Sequence, residues 1–104
     1  MRPTPVSKTG AVGVSPVFRP NVAVENFQVG FGVYIEGGSV LTYSVEHTFH
    51  NPDDVGAVWF PHATVAAKGA NDNGSYLFPV RGIRLNVTAW TSGGATLVPV
   101  QSGP

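Results

Sequence analysis

An all-β fold, a small antiparallel β-sandwich of jelly-roll-like form with an extended N-terminal arm, is predicted by three observations. Apolar and polar residues alternate over several stretches, most clearly where Ile83, Leu85, Val87 and Ala89 interleave with Arg84, Asn86, Thr88 and Trp90. Glycine- and proline-containing turns break the chain at short intervals. Helical periodicity is missing, and only residues 63–68 would make even one helical turn. A strand with one buried face requires period two. Six or seven short strands at this spacing read as a sandwich or jelly roll.

At the N-terminus, residues 1–20 hold Pro3, Pro5, Pro16 and Pro20 with Gly10 and Gly13 between them. Proline removes ladder donors and glycine weakens regular structure, so this segment reads as an arm outside the core. As a plain tail it would be disordered. Val12, Val14, Val17 and Phe18 instead give it apolar side chains to lay along a neighbouring subunit. The sandwich domain takes residues 21–104. Residues 21–26 offer a short edge strand, with Val22 and Val24 in phase. Residues 27–36 form the first strong strand, with Phe27, Val29, Phe31, Val33 and Ile35 on one face. Such side chains contribute about 1.5–3 kcal/mol each when fully buried. Gly30 and Gly32 leave the other face bare, which predicts a bulge or a closely packed backbone there.

Glu36-Gly37-Gly38-Ser39 reads as a hairpin turn, and residues 40–49 as the returning strand with Leu41, Tyr43, Val45, His47 and Phe49 inward. Asn51-Pro52-Asp53-Asp54 supplies turn chemistry. A short strand at 58–60 stops at Pro61, and residues 62–75 read as a long loop with Asn71 to Gly74 at its tip. Residues 76–80 lead into a second expected hairpin, 83–101, turning at Ser92-Gly93-Gly94.

Composition narrows function. Of 104 residues, 42% are hydrophobic and only 12% charged, with a formal net charge of zero. Soluble domains usually carry about 25% charged residues. A surface this short of charge belongs to a bland extracellular or bacterial domain, or to one covered by copies of itself or by a partner; the second reading is favoured. Arg2, Lys8, Arg19, Lys68, Arg81 and Arg84 are scattered and form no basic run, which argues against nucleic acid. No cysteine is present, which removes disulfides and thiolate sites. No apolar run approaches a membrane span, and Met1 opens into Arg-Pro-Thr-Pro and not into a signal sequence. Synthesis in a cytoplasm is the expectation.

Candidate chemistry is sparse. His47 and His50 lie three apart, on opposite faces of a strand, and adding Asp53, Asp54 and His62 produces no recognised metal spacing. The carboxylates sit in turns or on outer faces, no serine stands in a nucleophile-elbow context, and no cofactor motif occurs. An enzyme is not expected; a pocket lined by His47, His50 and Asp53 would reopen that question. Asn86-Val87-Thr88 matches a glycosylation sequon but lies inside a strand. Tyr34, Tyr43, Trp59, Tyr76 and Trp90 are able to stack on a sugar. Trp90, on the polar face of its strand, is the best placed, unless it packs in the second sheet or under the arm, or meets a protein.

The segment Phe78-Pro79-Val80-Arg81-Gly82-Ile83-Arg84-Leu85-Asn86-Val87-Thr88-Ala89-Trp90-Thr91-Ser92-Gly93-Gly94 resembles the C-terminal hairpin of small structural proteins of tailed bacteriophages. Leu41-Thr42-Tyr43-Ser44-Val45-Glu46-His47-Thr48-Phe49, with the Asn51-Pro52-Asp53 turn, is similar too. Together these segments cover 29 of the 104 residues; the arm carries no part of the likeness. The resemblance implies a virion component, made in the bacterial cytoplasm and carried on the capsid surface. The favoured form is a capsid decoration or cement protein binding the outer shell between major capsid subunits. Neck, tail or head-fibre subunits are the alternative, and a surface carbohydrate-binding module a further one. The expected partners are the major capsid protein, copies of the chain itself as a dimer or trimer, or both. Nucleic acid, membrane and small-molecule substrates are not expected. Val12, Val14, Val17, Phe18 and Trp90 are the candidate contacts, with the tips near Gly37 and Asn71 behind them.

Overall fold

The computed structural model describes residues 5–20 and 27–101. Among them it has eight strands and no helix: β1 (Val6–Thr9), β2 (Gly13–Val14), β3 (Val29–Ile35), β4 (Val40–Thr48), β5 (Trp59–Pro61), β6 (Asp72–Tyr76), β7 (Gly82–Ser92) and β8 (Gly94–Gln101). They form two four-stranded antiparallel sheets, ordered β1-β8-β3-β6 and β2-β7-β4-β5. First pairs with last, second with seventh, third with sixth and fourth with fifth. This is one long ribbon rolled up on itself, the jelly-roll topology. The short strand expected at 21–26 lies outside the described residues.

Alternation fills the space between the sheets. Val29, Phe31 and Val33 of β3 and Leu97 of β8 meet Tyr43 and Val45 of β4 and Ile83, Leu85 and Val87 of β7, all buried. Phe27, Val65 and Val80 close the core from the connections.

Both expected hairpins are corners. β3 and β4 pair with strands of different sheets, and so do β7 and β8. The turns at 36–39 and at Gly93 therefore carry the chain from one sheet to the other. The two corners are stitched together: Glu36 N donates to Gly94 O at 3.0 Å, and Gly94 N to Ser39 Oγ at 3.2 Å. Gly38 and Gly93 both adopt φ near +80°, a conformation that favours glycine. A glycine turn announces a reversal but not the partner of the strand that leaves it.

The arm is extended, as expected, yet it folds onto its own domain. β1 extends one sheet beside β8, and β2 extends the other beside β7. Phe18 bridges to Ile83 with reciprocal backbone bonds of 2.8 and 2.9 Å. Val6 and Phe18 are buried in the core, so the segment is not excluded from it. Pro5, Pro16 and Pro20 flank the pairing stretches and interrupt none of them, which is where an edge tolerates proline.

Three further expectations change. The long loop at 62–75 contains β6, whose sequence Asp-Asn-Gly-Ser-Tyr is too polar to read as a strand. Gly30 and Gly32 lie in an unbroken register, with no atom of the described residues within 4 Å of where each Cβ would be; there is no bulge, and no described residue packs on them. The bulges fall on β7 instead. Tyr43 pairs Val87 while Thr42 pairs Ala89, leaving Thr88 extra, and a second shift lies between Val40 and Leu41, leaving Thr91 extra. An extra residue reverses the faces of the residues beyond it. Ala89 thereby turns outward, and Trp90 comes opposite the inward-facing Leu41.

Candidate interaction site at the open edge

β5 ends one sheet and β6 ends the other. Between them the sandwich opens into a cleft of about 450 Å³. Its floor is His47 and Tyr76; its walls include Pro61 at the end of β5 and His62 just after it, and Leu77 and Phe78 just after β6.

The floor is held by hydrogen bonds. His47 Nδ1 lies 2.9 Å from the Tyr76 hydroxyl. Burial, and secondarily His62, lowers the His47 pKa below its usual 6.5. Burial, followed by the charge of Glu46, raises that of Tyr76. His62 is fixed on both sides: Nδ1 accepts the backbone N–H groups of Thr64 and Val65 at 3.1 and 3.2 Å, and Nε2 lies 3.0 Å from the Ser75 carbonyl. With Nδ1 accepting, Nε2 carries the proton and donates. His62 thus links the last strands of the two sheets and occupies one acceptor of the β6 edge.

Around this floor the side chains are aromatic and exposed. Phe49 is 48% exposed, Phe60 43%, Phe78 47% and Leu77 69%. Ring centroids lie 5.9 Å apart for Phe49 and Phe60, 6.0 Å for Phe49 and Phe78, and 5.9 Å for His47 and Phe60. Val55 and Val58, in the connection after Phe49, are exposed as well. The segments meet at the Thr48 end of β4, where Thr48 pairs with Trp59 and Gly82 and its carbonyl accepts from Arg81 N.

Sequence reasoning placed Phe49 on the inner face of its strand and gave Phe60 and Phe78 no role. β4 ends at Thr48, so Phe49 escapes the alternation. Three phenylalanines each beside a turn or a proline were the signal available, and only the pairing of distant segments brings them together.

The residues singled out from sequence are dispersed. Val12 and Val14 are exposed along the β2 edge, far around the sheet order from the cleft. Val17 is half-buried and faces Gly82: a Cβ there would come within 2.9 Å of a Val17 methyl. Phe18 is buried in its own core and presents no surface to a partner. Trp90 is 37% exposed, and its Nε1 donates to Gly93 O at 2.9 Å. Asn71, one of the expected tips, is tied back by Ile35 N at 2.8 Å.

The other candidates serve the scaffold. His50 Nδ1 accepts from Val58 N at 2.9 Å, and Asp53 pairs with Arg19; neither lines the cleft with His47. No group of three metal-binding side chains exists among the described residues. Asn86 Nδ2 donates to Glu46, which also holds Arg84 at 2.9 Å, and Arg84 covers the Trp59 ring at 3.9 Å. Tyr43 and Tyr76 are buried, so Tyr34 and Trp90 remain as exposed rings of the five able to stack on a sugar. No helix among the described residues is long and apolar enough to cross a membrane. Compared with known proteins, the chain matches no family model, no curated protein and no solved structure.

Proposed function

We propose that this chain is a structural protein of a tailed-phage virion, a decoration or cement protein seated outside the shell between major capsid subunits. It acts by binding and carries out no reaction. The observation that carries this reading is the cluster of exposed Phe49, Phe60, Leu77 and Phe78 on a chain with only 12% charged residues. Contiguous apolar patches on soluble proteins mark surfaces that are covered in the working state, and aromatic rings are enriched where proteins meet.

Three features lend support. Segments 41–53 and 78–94 resemble phage structural proteins. Eight-stranded jelly rolls serve in viral shells, although a fold alone does not assign a function. The histidines and carboxylates nearest to forming a reactive group are committed to the scaffold, as with His62 and Glu46. A sugar is less well served, because the cleft is walled by Phe and Leu.

The test is addition of the purified chain to capsids and to tails that lack it, followed by sedimentation and electron cryomicroscopy. Ordered density on the outer shell is the expected result. Density on necks, tails or fibres alone would move the protein to that part of the virion, and density on no particle would overturn the reading.

A further inference from the structure

The geometry points to the cleft between β5 and β6 as a docking groove for an extended, uncharged segment of a protein partner, which seats a large apolar side chain between Pro61, Leu77 and Phe78. This deepens the assembly reading and rests on it for the source of the segment, a shell protein.

The lining selects the occupant. Among the described residues no Asp, Glu, Lys or Arg side chain lines the cleft, so a charged segment would lose its hydration with nothing from them in return. Five polar groups of the wall are engaged internally: both ring nitrogens of His62, Nδ1 of His47, the Tyr76 hydroxyl and the Ser75 carbonyl. A glycan depends on hydrogen bonds that these groups no longer offer. An aliphatic or aromatic side chain needs only displaced water. The volume of about 450 Å³ falls within the roughly 300–1,000 Å³ of binding clefts.

Shape favours an extended segment. β5 and β6 are the last strands of their sheets, and a chain lying along such edges presents alternate side chains to the groove. The rings are already half out of water and backed by the Tyr76 and His47 floor. Docking therefore buries apolar surface without a rearrangement of the core.

The test uses the full chain labelled with ¹⁵N and three probes: acetyl-Thr-Leu-Thr-Phe-Thr-amide, acetyl-Thr-Lys-Thr-Lys-Thr-amide and lactose. The expected result is saturable shifts of the His47, Ser75, Tyr76, Leu77 and Phe78 amides with the first probe alone. Phe78→Ser should weaken that binding about tenfold or more, the loss of one buried ring; because Phe78 is exposed, the spectrum should stay folded. Silence with the apolar peptide, equal shifts with the lysine peptide, or shifts with lactose would each overturn the groove. So would the same shifts on concentrating the protein alone, which would make a second copy the occupant.

Shell binding separates the two readings. If Phe78→Ser abolishes shell occupancy while Val40→Ser, at the opposite end of β4, preserves it, both stand. Occupancy that survives Phe78→Ser overturns the groove and leaves the virion reading. A groove that takes the peptide, on a protein that decorates no particle, overturns the virion reading and leaves the groove.

Discussion

His47 faces the aromatic floor with one ring nitrogen on the Tyr76 hydroxyl. Its folded pKa lies below 6.5, so the unfolded chain takes up a proton first on acidification. Stability from this group is therefore complete above pH 6.5 and is lost as pH falls from there toward the lowered folded value. Thermal melts should show a decline through that window, with a shallower slope in His47→Gln. Tyr43 titrates at the other extreme. Burial, followed by Asp72, raises it from 10.0 to about 12, so its contribution is intact below pH 10 and disappears as pH rises toward 12. Ser15 is a third sensitive residue: its Oγ accepts Leu85 N at 2.9 Å in a buried position. Ser15→Ala leaves that amide unpaired, and urea unfolding should register a loss of about 1–3 kcal/mol. None of these three roles was legible from residue type, because each depends on a partner at least 27 positions away.

At the level of single elements, strands were legible and connections were not. Alternation located β3, β4 and β7 because a sheet with one buried face imposes period two on the chain. It failed at Thr88, where one extra residue in β7 exchanged the faces of Ala89 and Trp90. It failed again at β6, a strand of small polar residues that is held by pairing with β3. Glycine carried even less information about its setting. At Gly93, φ is +83° and an added Cβ would meet Ser39 Oγ at 1.9 Å; at Gly30 the same atom would meet no described residue within 4 Å. Gly93→Ala should cost at least about 1–2 kcal/mol in denaturation experiments, from the left-handed backbone alone. Gly30→Ala should be neutral or stabilising by about 0.5–1 kcal/mol, since glycine is unfavourable inside a strand. If the two substitutions cost the same, the stitched corner is wrong.

For the whole molecule, the arm changes most between sequence and structure. The sequence offers Val12, Val14 and Val17 as contacts for a neighbour, and Val12 and Val14 are exposed, while two edge strands and the buried Val6 and Phe18 belong to this chain's own sheets. Deleting residues 1–20 should therefore bare the outer edges of β7 and β8, lower the melting temperature and promote association through unpaired strand edges. Size-exclusion chromatography and calorimetry would read both effects, and a synthetic 1–20 peptide added back should reverse them. A deletion that left melting unchanged would return the arm to its role as a free contact segment. The fold class was visible because composition and periodicity are local properties. The cleft was hidden because Phe49, Phe60 and Phe78 become neighbours only when the connections after β4 and β6 arrive at one end of the sandwich.

The strand order also has a temporal consequence. β8 lies between β1 and β3, and β7 between β2 and β4, so each sheet takes an inner strand from the C-terminal part of the chain. Val6 finds its partner at Leu97. During synthesis β1 has no link to the β3–β6 pair until Gln101 has been made, and it must wait without a partner. Folds dominated by such distant pairings cross their barrier in milliseconds to seconds. Ribosome-bound chains stopped at Gly93 should accordingly lack protected amides in β1, and protection there should arrive once β8 emerges.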